Sequence, residues 1–289
     1  MPTARSDDWR GAGFMLLAMA GYGLNDLMVK LVAAHLPAAM ILAIRSAMAV
    51  LLLLGLLALR REIWQIRASL TGRALLRALL DTGATIGYVH ALTGLSLANA
   101  AAIYQMTPIV FMLASAALLR EAIPRSGWIG TALGFAGVLL VIRPDGAMLD
   151  PHALAVVVAV LCSVARDLLM RDSLMPSPIC LALLSAACTS LFGLGALTTS
   201  GIAAPEPTQI ALLALAATAI AVGYVFLALA TATGGSGFVS PFRYSILVYA
   251  TFLGMVVLGQ YPDAPALLGI GLILLGGVTV ALPSSRPRP

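Results

Sequence analysis

The chain has 289 residues, of which 61% are apolar and only 10% charged, against roughly 25% charged in an ordinary soluble domain. That balance excludes soluble enzymes, nucleic-acid binders and disordered scaffolds, and continuous apolar runs exclude a transmembrane β-barrel, whose strands alternate apolar and polar residues. At about 20 residues per helical span, the length accommodates ten spans with short connections and no extramembrane domain.

Apolar runs between polar or Pro/Gly-rich breaks predict ten helices. The first covers about Trp9 to Ala34 and the second Ala38 to Leu59, with His35-Leu36-Pro37 between them. A basic stretch from Arg60 to Arg73 leads to the third, ending near Gly94, and the fourth runs from Leu97 to Leu119. The fifth follows Arg120 to Arg125 and ends near Ile142; the sixth spans His152 to Arg171 after a loop containing Arg143-Pro144-Asp145-Gly146. Pro176-Ser177-Pro178 opens the seventh, which ends near Ser200, and the eighth covers Thr208 to Thr231. The ninth spans Gly237 to Leu258 and the tenth Asp263 to Leu282.

Charge bias orients these spans, because cytoplasmic loops collect Lys and Arg. With both termini cytoplasmic, the seventeen basic residues divide into eleven inside, two outside (Lys30 and Arg143) and four embedded (Arg45, Arg77, Arg166 and Arg243). The net charge of +5 is then explained by contact with anionic lipid headgroups. Asp7 and Asp8 interrupt the basic flank a cleaved signal peptide would need, so the first span is expected to be retained. Cys162, Cys180 and Cys188 lie inside apolar helices without metal-ligand spacing and read as small packing residues.

The chain also contains a weak internal repeat. Leu24-Asn25-Asp26-Leu27-Met28-Val29-Lys30 in the first span matches Ala165-Arg166-Asp167-Leu168-Leu169-Met170-Arg171 in the sixth, at an offset of 141. Gly130 and Gly137 in the fifth are matched by Gly269 and Gly276 in the tenth, at an offset of 139, and Tyr88 and Ala91 by Tyr224 and Ala228. Each half holds five spans, an odd number, so the second half is expected to enter the membrane upside down, the architecture of an alternating-access transporter. The predicted organisation is therefore an all-α integral membrane protein of ten helices in two inverted repeats, residues 1–145 and 146–289.

Arg45 in the second span, Pro108 followed thirteen residues later by Glu121, and the Gly-rich fifth and tenth spans resemble the EamA-type drug/metabolite transporter superfamily. So do Ser240-Pro241-Phe242-Arg243-Tyr244-Ser245 and Gly259-Gln260-Tyr261-Pro262-Asp263. The chain departs from the family at Gln260, where Glu is common, and in lacking a counterpart of Arg45 in the seventh span. Within the superfamily it is most similar to the bacterial YddG-type amino-acid exporter branch. That resemblance implies export of amino acids, especially large apolar or aromatic ones, across the bacterial inner membrane; carriers of drugs and other metabolites in the same superfamily are the alternative.

Ionisable groups within a membrane are costly and need a partner or hydration. Asp26 and Arg45 lie at similar depth and are expected to pair, as are Arg77 and Asp81, four residues apart on one helix. Arg166 and Asp167 sit near the inner end of their span and read as snorkelling residues. Arg243 has no acid on its own span; its planar fork suits a substrate carboxylate or an interhelical bond. Tyr88, His90, Tyr104, Gln105, Tyr224, Phe238, Ser240, Tyr244 and Tyr249 complete the expected set of substrate-binding or gating residues, placed donors and rings in a Leu/Ala background.

An intramembrane enzyme is disfavoured because His35, His90 and His152 are dispersed, and ATP drive is disfavoured by the lack of a Walker sequence. The expected partners are a small-molecule substrate and membrane lipid, with no nucleic acid, metal or cofactor, and the expected assembly is a monomer.

Overall fold

The computed structural model describes residues 2–119, 125–142, 150–169, 177–200, 204–233 and 236–281. Among them the regular structure is entirely helical. The elements are α1 (Pro2–Ala33), α2 (Ala38–Leu59), α3 (Trp64–Ser69), α4 (Gly72–Gly94), α5 (Leu97–Tyr104), α6 (Thr107–Leu119) and α7 (Arg125–Ile142). Then come α8 (Pro151–Leu169), α9 (Pro178–Ser200), α10 (Pro207–Thr233), α11 (Ser236–Val239), a 3₁₀ turn over Ser240–Tyr244, α12 (Ser245–Leu258) and α13 (Ala264–Ala281).

Seven segments are long and apolar enough to cross a bilayer: Asp7–Ala33, Ala38–Leu59, Leu97–Leu118, Pro151–Leu169, Pro178–Thr198, Pro207–Ala230 and Pro241–Leu258. The ten expected spans include three more with identifiable shortfalls. α4 has the length, at 23 residues, but carries Arg73, Arg77, Asp81 and His90. The apolar parts of α7 and α13, Arg125–Val141 and Ala264–Thr279, are short.

Two expected helices are broken, each at a proline. Pro108 has no N–H, and its ring would clash with the Tyr104 carbonyl in a continuous helix. The chain stops at Tyr104 and restarts at Thr107, whose hydroxyl donates to that carbonyl at 2.6 Å. Pro241 marks the 3₁₀ turn between α11 and α12 in the same way. The basic stretch read as a plain connection holds the short helix α3, closed by Ser69 Oγ donating to the Gln65 carbonyl; Trp64 is exposed on it.

The helices pack as antiparallel pairs: α1 with α10, α4 with α8, α2 with α9 and α7 with α13, with α12 against α5. On α1 and α10, Phe14 stacks on Phe226 and Tyr22 meets Tyr224 edge-on. A Cβ at Gly21 would sit 2.8 Å from the Ala219 carbonyl, and one at Gly87 would sit 2.6 Å from that of Ala155. These glycines therefore let backbones touch, which is the source of helix affinity in a lipid solvent that gives no hydrophobic drive between helices.

The largest apolar cluster includes Val29, Val32, Leu36, Met40, Leu92, Leu97, Leu247 and Ile273. It fills the end of the bundle that bears Lys30. There the Lys30 ammonium donates to the Leu92 and Leu95 carbonyls, 2.6 Å each, capping α4. Gly259, at φ 63°, ends α12 in the left-handed conformation, and the next residue, Gln260, accepts from the Leu97 amide at 3.0 Å to cap α5.

Candidate functional site

Beneath that packed end lies a cavity of about 470 Å³ bounded by side chains from most of the long helices. Its size lies within the range of small-molecule sites, about 300–1,000 Å³. The helical period puts the polar residues on the inner faces. Tyr22, Asn25 and Asp26 come from one face of α1, and Arg77, Asp81 and Tyr88 descend one face of α4. α2 contributes Arg45, α8 contributes Arg166 and Asp167, α10 contributes Tyr224, and the two helix breaks contribute Gln105 and Arg243. Non-helical backbone inside a membrane protein is tolerated where it borders a cavity. Leu92, Leu181, Ala182, Leu227 and Ile246 supply apolar wall.

Two polar networks cross this space. In the first, Arg45 Nη1 donates to Asn25 Oδ1 at 2.9 Å and Asn25 Nδ2 donates to Asp26 Oδ1 at 2.9 Å. Tyr88 OH donates to Asp26 Oδ2 at 3.0 Å. The second centres on Arg166, whose Nη1 donates to Asp81 Oδ1 while its Nε donates to Asp167 Oδ1 at 2.9 Å. Arg77 Nη1 donates to Ser185 Oγ at 3.3 Å, and the Thr82 and Thr189 hydroxyls lie 3.1 Å apart. Between the networks, the rings of Tyr88 and Tyr104 are 5.0 Å apart, and Tyr104 OH is 2.7 Å from Ser163 Oγ.

The structure thus separates the residues singled out in the sequence. Tyr88, Tyr104, Gln105, Tyr224 and Arg243 border the cavity. His90 lies at the packed end, stacked on His152 with ring centres 5.1 Å apart. Phe238 belongs to a surface cluster with Trp9 and Phe242. Tyr244 is buried against Gly277, and Tyr249 lies against Gly23. Ser240 is in the 3₁₀ turn, but the surroundings of its side chain lie outside the described residues.

The expected charge pairs take different partners. Asp26 and Arg45 are joined through Asn25 rather than directly. Asp81 pairs with Arg166 across to α8 instead of with Arg77 along α4. An interhelical guanidinium reaches the carboxylate more directly than one held a turn away, and Arg77 is left to Ser185. Arg166 consequently does not snorkel: its side chain is 17% exposed and sits between two carboxylates. Sequence reasoning passed over Asn25, Arg166 and Asp167 as site residues. The signal was present in the repeat, which aligns Asn25-Asp26 with Arg166-Asp167.

No group of three or more His, Cys, Asp or Glu side chains suited to a metal occurs among the described residues. The cavity instead combines mixed charge, phenols and apolar wall in a helical bundle, a setting for binding an amphipathic solute.

Comparison with known proteins agrees with a transport role. Residues 9–143 match the EamA-like transporter family. Over 289 positions the chain is 26% identical to an uncharacterized transporter of Helicobacter pylori strain J99, covering 95% of both chains. It is 22% identical over 265 residues to an S-adenosylmethionine uptake transporter of Rickettsia bellii, covering 91% of this chain and 90% of the other. A solved crystal structure superposes with a TM-score of 0.69 at 16% identity, covering 96% of this chain and 97% of that one.

Proposed function

From the match of residues 9–143 to the EamA-like transporter family, we propose that the whole chain is a secondary carrier of that family. In this reading it exports amino acids, foremost large apolar or aromatic ones, across a bacterial inner membrane. The observation that carries it is the cavity itself: ionisable side chains of both signs and four tyrosines are held in a bundle otherwise walled by apolar residues. A zwitterionic headgroup finds donors and acceptors there, and an apolar or planar tail finds rings and aliphatic wall.

The carrier alternates access between two five-helix repeats, residues 1–145 and 146–289, placed in opposite orientation with both termini cytoplasmic. Helix pairing supports this. Exchanging the halves turns the α1–α10 pair into α8–α4 and leaves the α2–α9 and α7–α13 pairs unchanged. Individual contacts follow: Gly21 against Ala219 on α1 and α10 corresponds, by the same sequence offsets, to Cys162 against Gly83 on α8 and α4. Proline-marked breaks interrupt both the fourth and the ninth span, after Tyr104 and after Val239. With Lys30 on the outer side, the dense cluster beside it closes the outer end, and exposed Arg243 stands at a mouth facing the cytoplasm.

A second cargo reading follows from the Rickettsia relatives, whose name specifies S-adenosylmethionine uptake; that solute also combines an amino-acid head with a planar ring. The test is counterflow in proteoliposomes with labelled amino acids and labelled S-adenosylmethionine, with and without a pH gradient. Saturable movement of at least one large apolar or aromatic amino acid is expected, and its reduction in Arg243→Ala protein that still purifies as a folded monomer. Absence of movement for every amino acid overturns the leading reading, and movement of S-adenosylmethionine alone selects the second.

A further inference from the structure

We infer that the cavity selects its cargo by a carboxylate, seated by donors of Arg45, Arg77 and Gln105, and that an ammonium group on the cargo is dispensable for binding. This rests on the cavity being the cargo site of a carrier and adds which part of the cargo is held.

Met and unmet hydrogen-bonding capacity divide unevenly among the lining side chains. Among the described residues no lining carboxylate oxygen is buried without a partner: Asp26 accepts from Asn25 and Tyr88 on its two oxygens, and Asp81 and Asp167 each accept from Arg166 on one. The donors differ. Arg45 is 5% exposed and donates from Nη1 to Asn25, yet its Nε has no partner among the described residues. Arg77 donates to Ser185 and its Nε is likewise unpartnered. Gln105, 9% exposed, has no partner for its Nε2 amide. The other unpartnered buried side-chain atoms among the described residues are the hydroxyls of Ser115, Ser126, Ser245 and Thr251, none of which borders the cavity.

Charge points the same way. Four arginines and three aspartates border the cavity, leaving one positive charge in excess. Arg243, at the mouth, forms no ion pair or hydrogen bond among the described residues. A buried donor without an acceptor costs about 1–3 kcal/mol, more when the group is charged. A cargo that brings acceptor oxygens and one negative charge relieves that cost, whereas a cargo that brings only an ammonium meets carboxylates already occupied. Arginine is suited to the task, because its fork offers a carboxylate two parallel donors. Gln105 lies at the break between α5 and α6.

The experiment uses the full-length protein in lipid nanodiscs and measures ligand-induced shifts of the unfolding midpoint, which report binding to the folded state. The probes are two matched triplets: tyrosine, tyramine and 4-hydroxyphenylpropionate, and leucine, isoamylamine and 4-methylpentanoate. Each triplet keeps one tail and presents in turn both headgroup charges, the ammonium alone and the carboxylate alone. Stabilisation is expected from the carboxylate-bearing members of at least one triplet and not from its amine. Gln105→Leu, which keeps shape and removes the amide, and Arg77→Gln are expected to weaken carboxylate binding roughly tenfold each, the ratio that loss of about 1.4 kcal/mol produces.

If the amines stabilise as strongly as the acids, or no carboxylate in either triplet moves the midpoint, the inference falls. It also falls if both variants bind the acids with wild-type affinity. Stabilisation by the deaminated acids without the amino acids keeps the carboxylate seat and removes the amino-acid reading of function. Counterflow of amino acids together with equal binding of amines does the reverse.

Discussion

The two polar networks are anchored on an aspartate each, Asp26 of α1 and Asp167 of α8, but are built from different chemistry. On α1, Asp26 is preceded by Asn25; on α8, Asp167 is preceded by Arg166. That one difference of side chain sets the rest. Asn25 both donates and accepts, so it links an arginine on one side to a carboxylate on the other without bringing them into contact. Arg166 can only donate, and it draws two carboxylates onto itself. The first arrangement leaves Arg45 with unused donors, while in the second Arg166 and its two carboxylates satisfy one another. A buried ion pair of the second kind fixes helices in place, and a relay through an amide leaves its arginine available to a solute.

The comparison is broken most severely at Arg166. Replacement by Met strips Asp81 and Asp167 of their shared counter-charge, and breaking a buried pair from one side costs about 3–5 kcal/mol. Arg166→Met is expected to lower the unfolding midpoint in detergent more than any other single change at the cavity. Combining it with Asp81→Asn should restore part of the loss, since one of the two stranded charges is then gone. A midpoint as low in the double variant as in the single one would show that the α4–α8 contact is not held by this pair.

Most of the architecture was legible because its signals are periodic or categorical. Apolar runs of about 20 residues and prolines at Pro108 and Pro241 are local in sequence. The outer limits of the second to tenth expected helices consequently fall within a few residues of those observed, while α3 and the breaks after Tyr104 and Val239 were not expected. Partner choice was less legible, since it depends on how helices far apart in sequence face one another. Asp81 has Arg77 one turn away and Arg166 across an interface, and only the packing of α4 on α8 decides between them. Aromatic residues were misjudged for a related reason. Tyr104 and Tyr244 are both tyrosines at helix breaks, yet one ring faces the cavity and the other lies over Gly277. Composition does not distinguish them, but the glycine on the facing helix does.

At Arg45 the expected effect is intermediate in stability and large in function. Arg45→Met leaves Asn25 still bonded to Asp26, so one hydrogen bond to a charged group is lost, worth about 1.5–3 kcal/mol. Counterflow should fall much more than folding, because the relay's end that faces cargo is removed. Arg45→Lys keeps the charge without the fork and is expected to recover folding fully but transport only in part. Full recovery of transport by lysine would mean that charge alone matters at this position.

The smallest effect belongs to Tyr88→Phe, which tests whether the relay is read by α4. The variant keeps the ring against Tyr104 and removes only the hydroxyl that donates to Asp26 Oδ2. A single hydrogen bond contributes about 0.5–1.5 kcal/mol, or more toward a charged acceptor. The carboxylate retains Asn25, so the midpoint should drop slightly. Loss of the phenol leaves one oxygen of Asp26 without its donor, so the lining then offers an acceptor that is satisfied in the wild type. Discrimination between tyramine and 4-hydroxyphenylpropionate should narrow accordingly, by weaker rejection of the amine. An unchanged ratio of the two affinities would place Asp26 outside the cargo's reach and confine the relay to positioning Arg45.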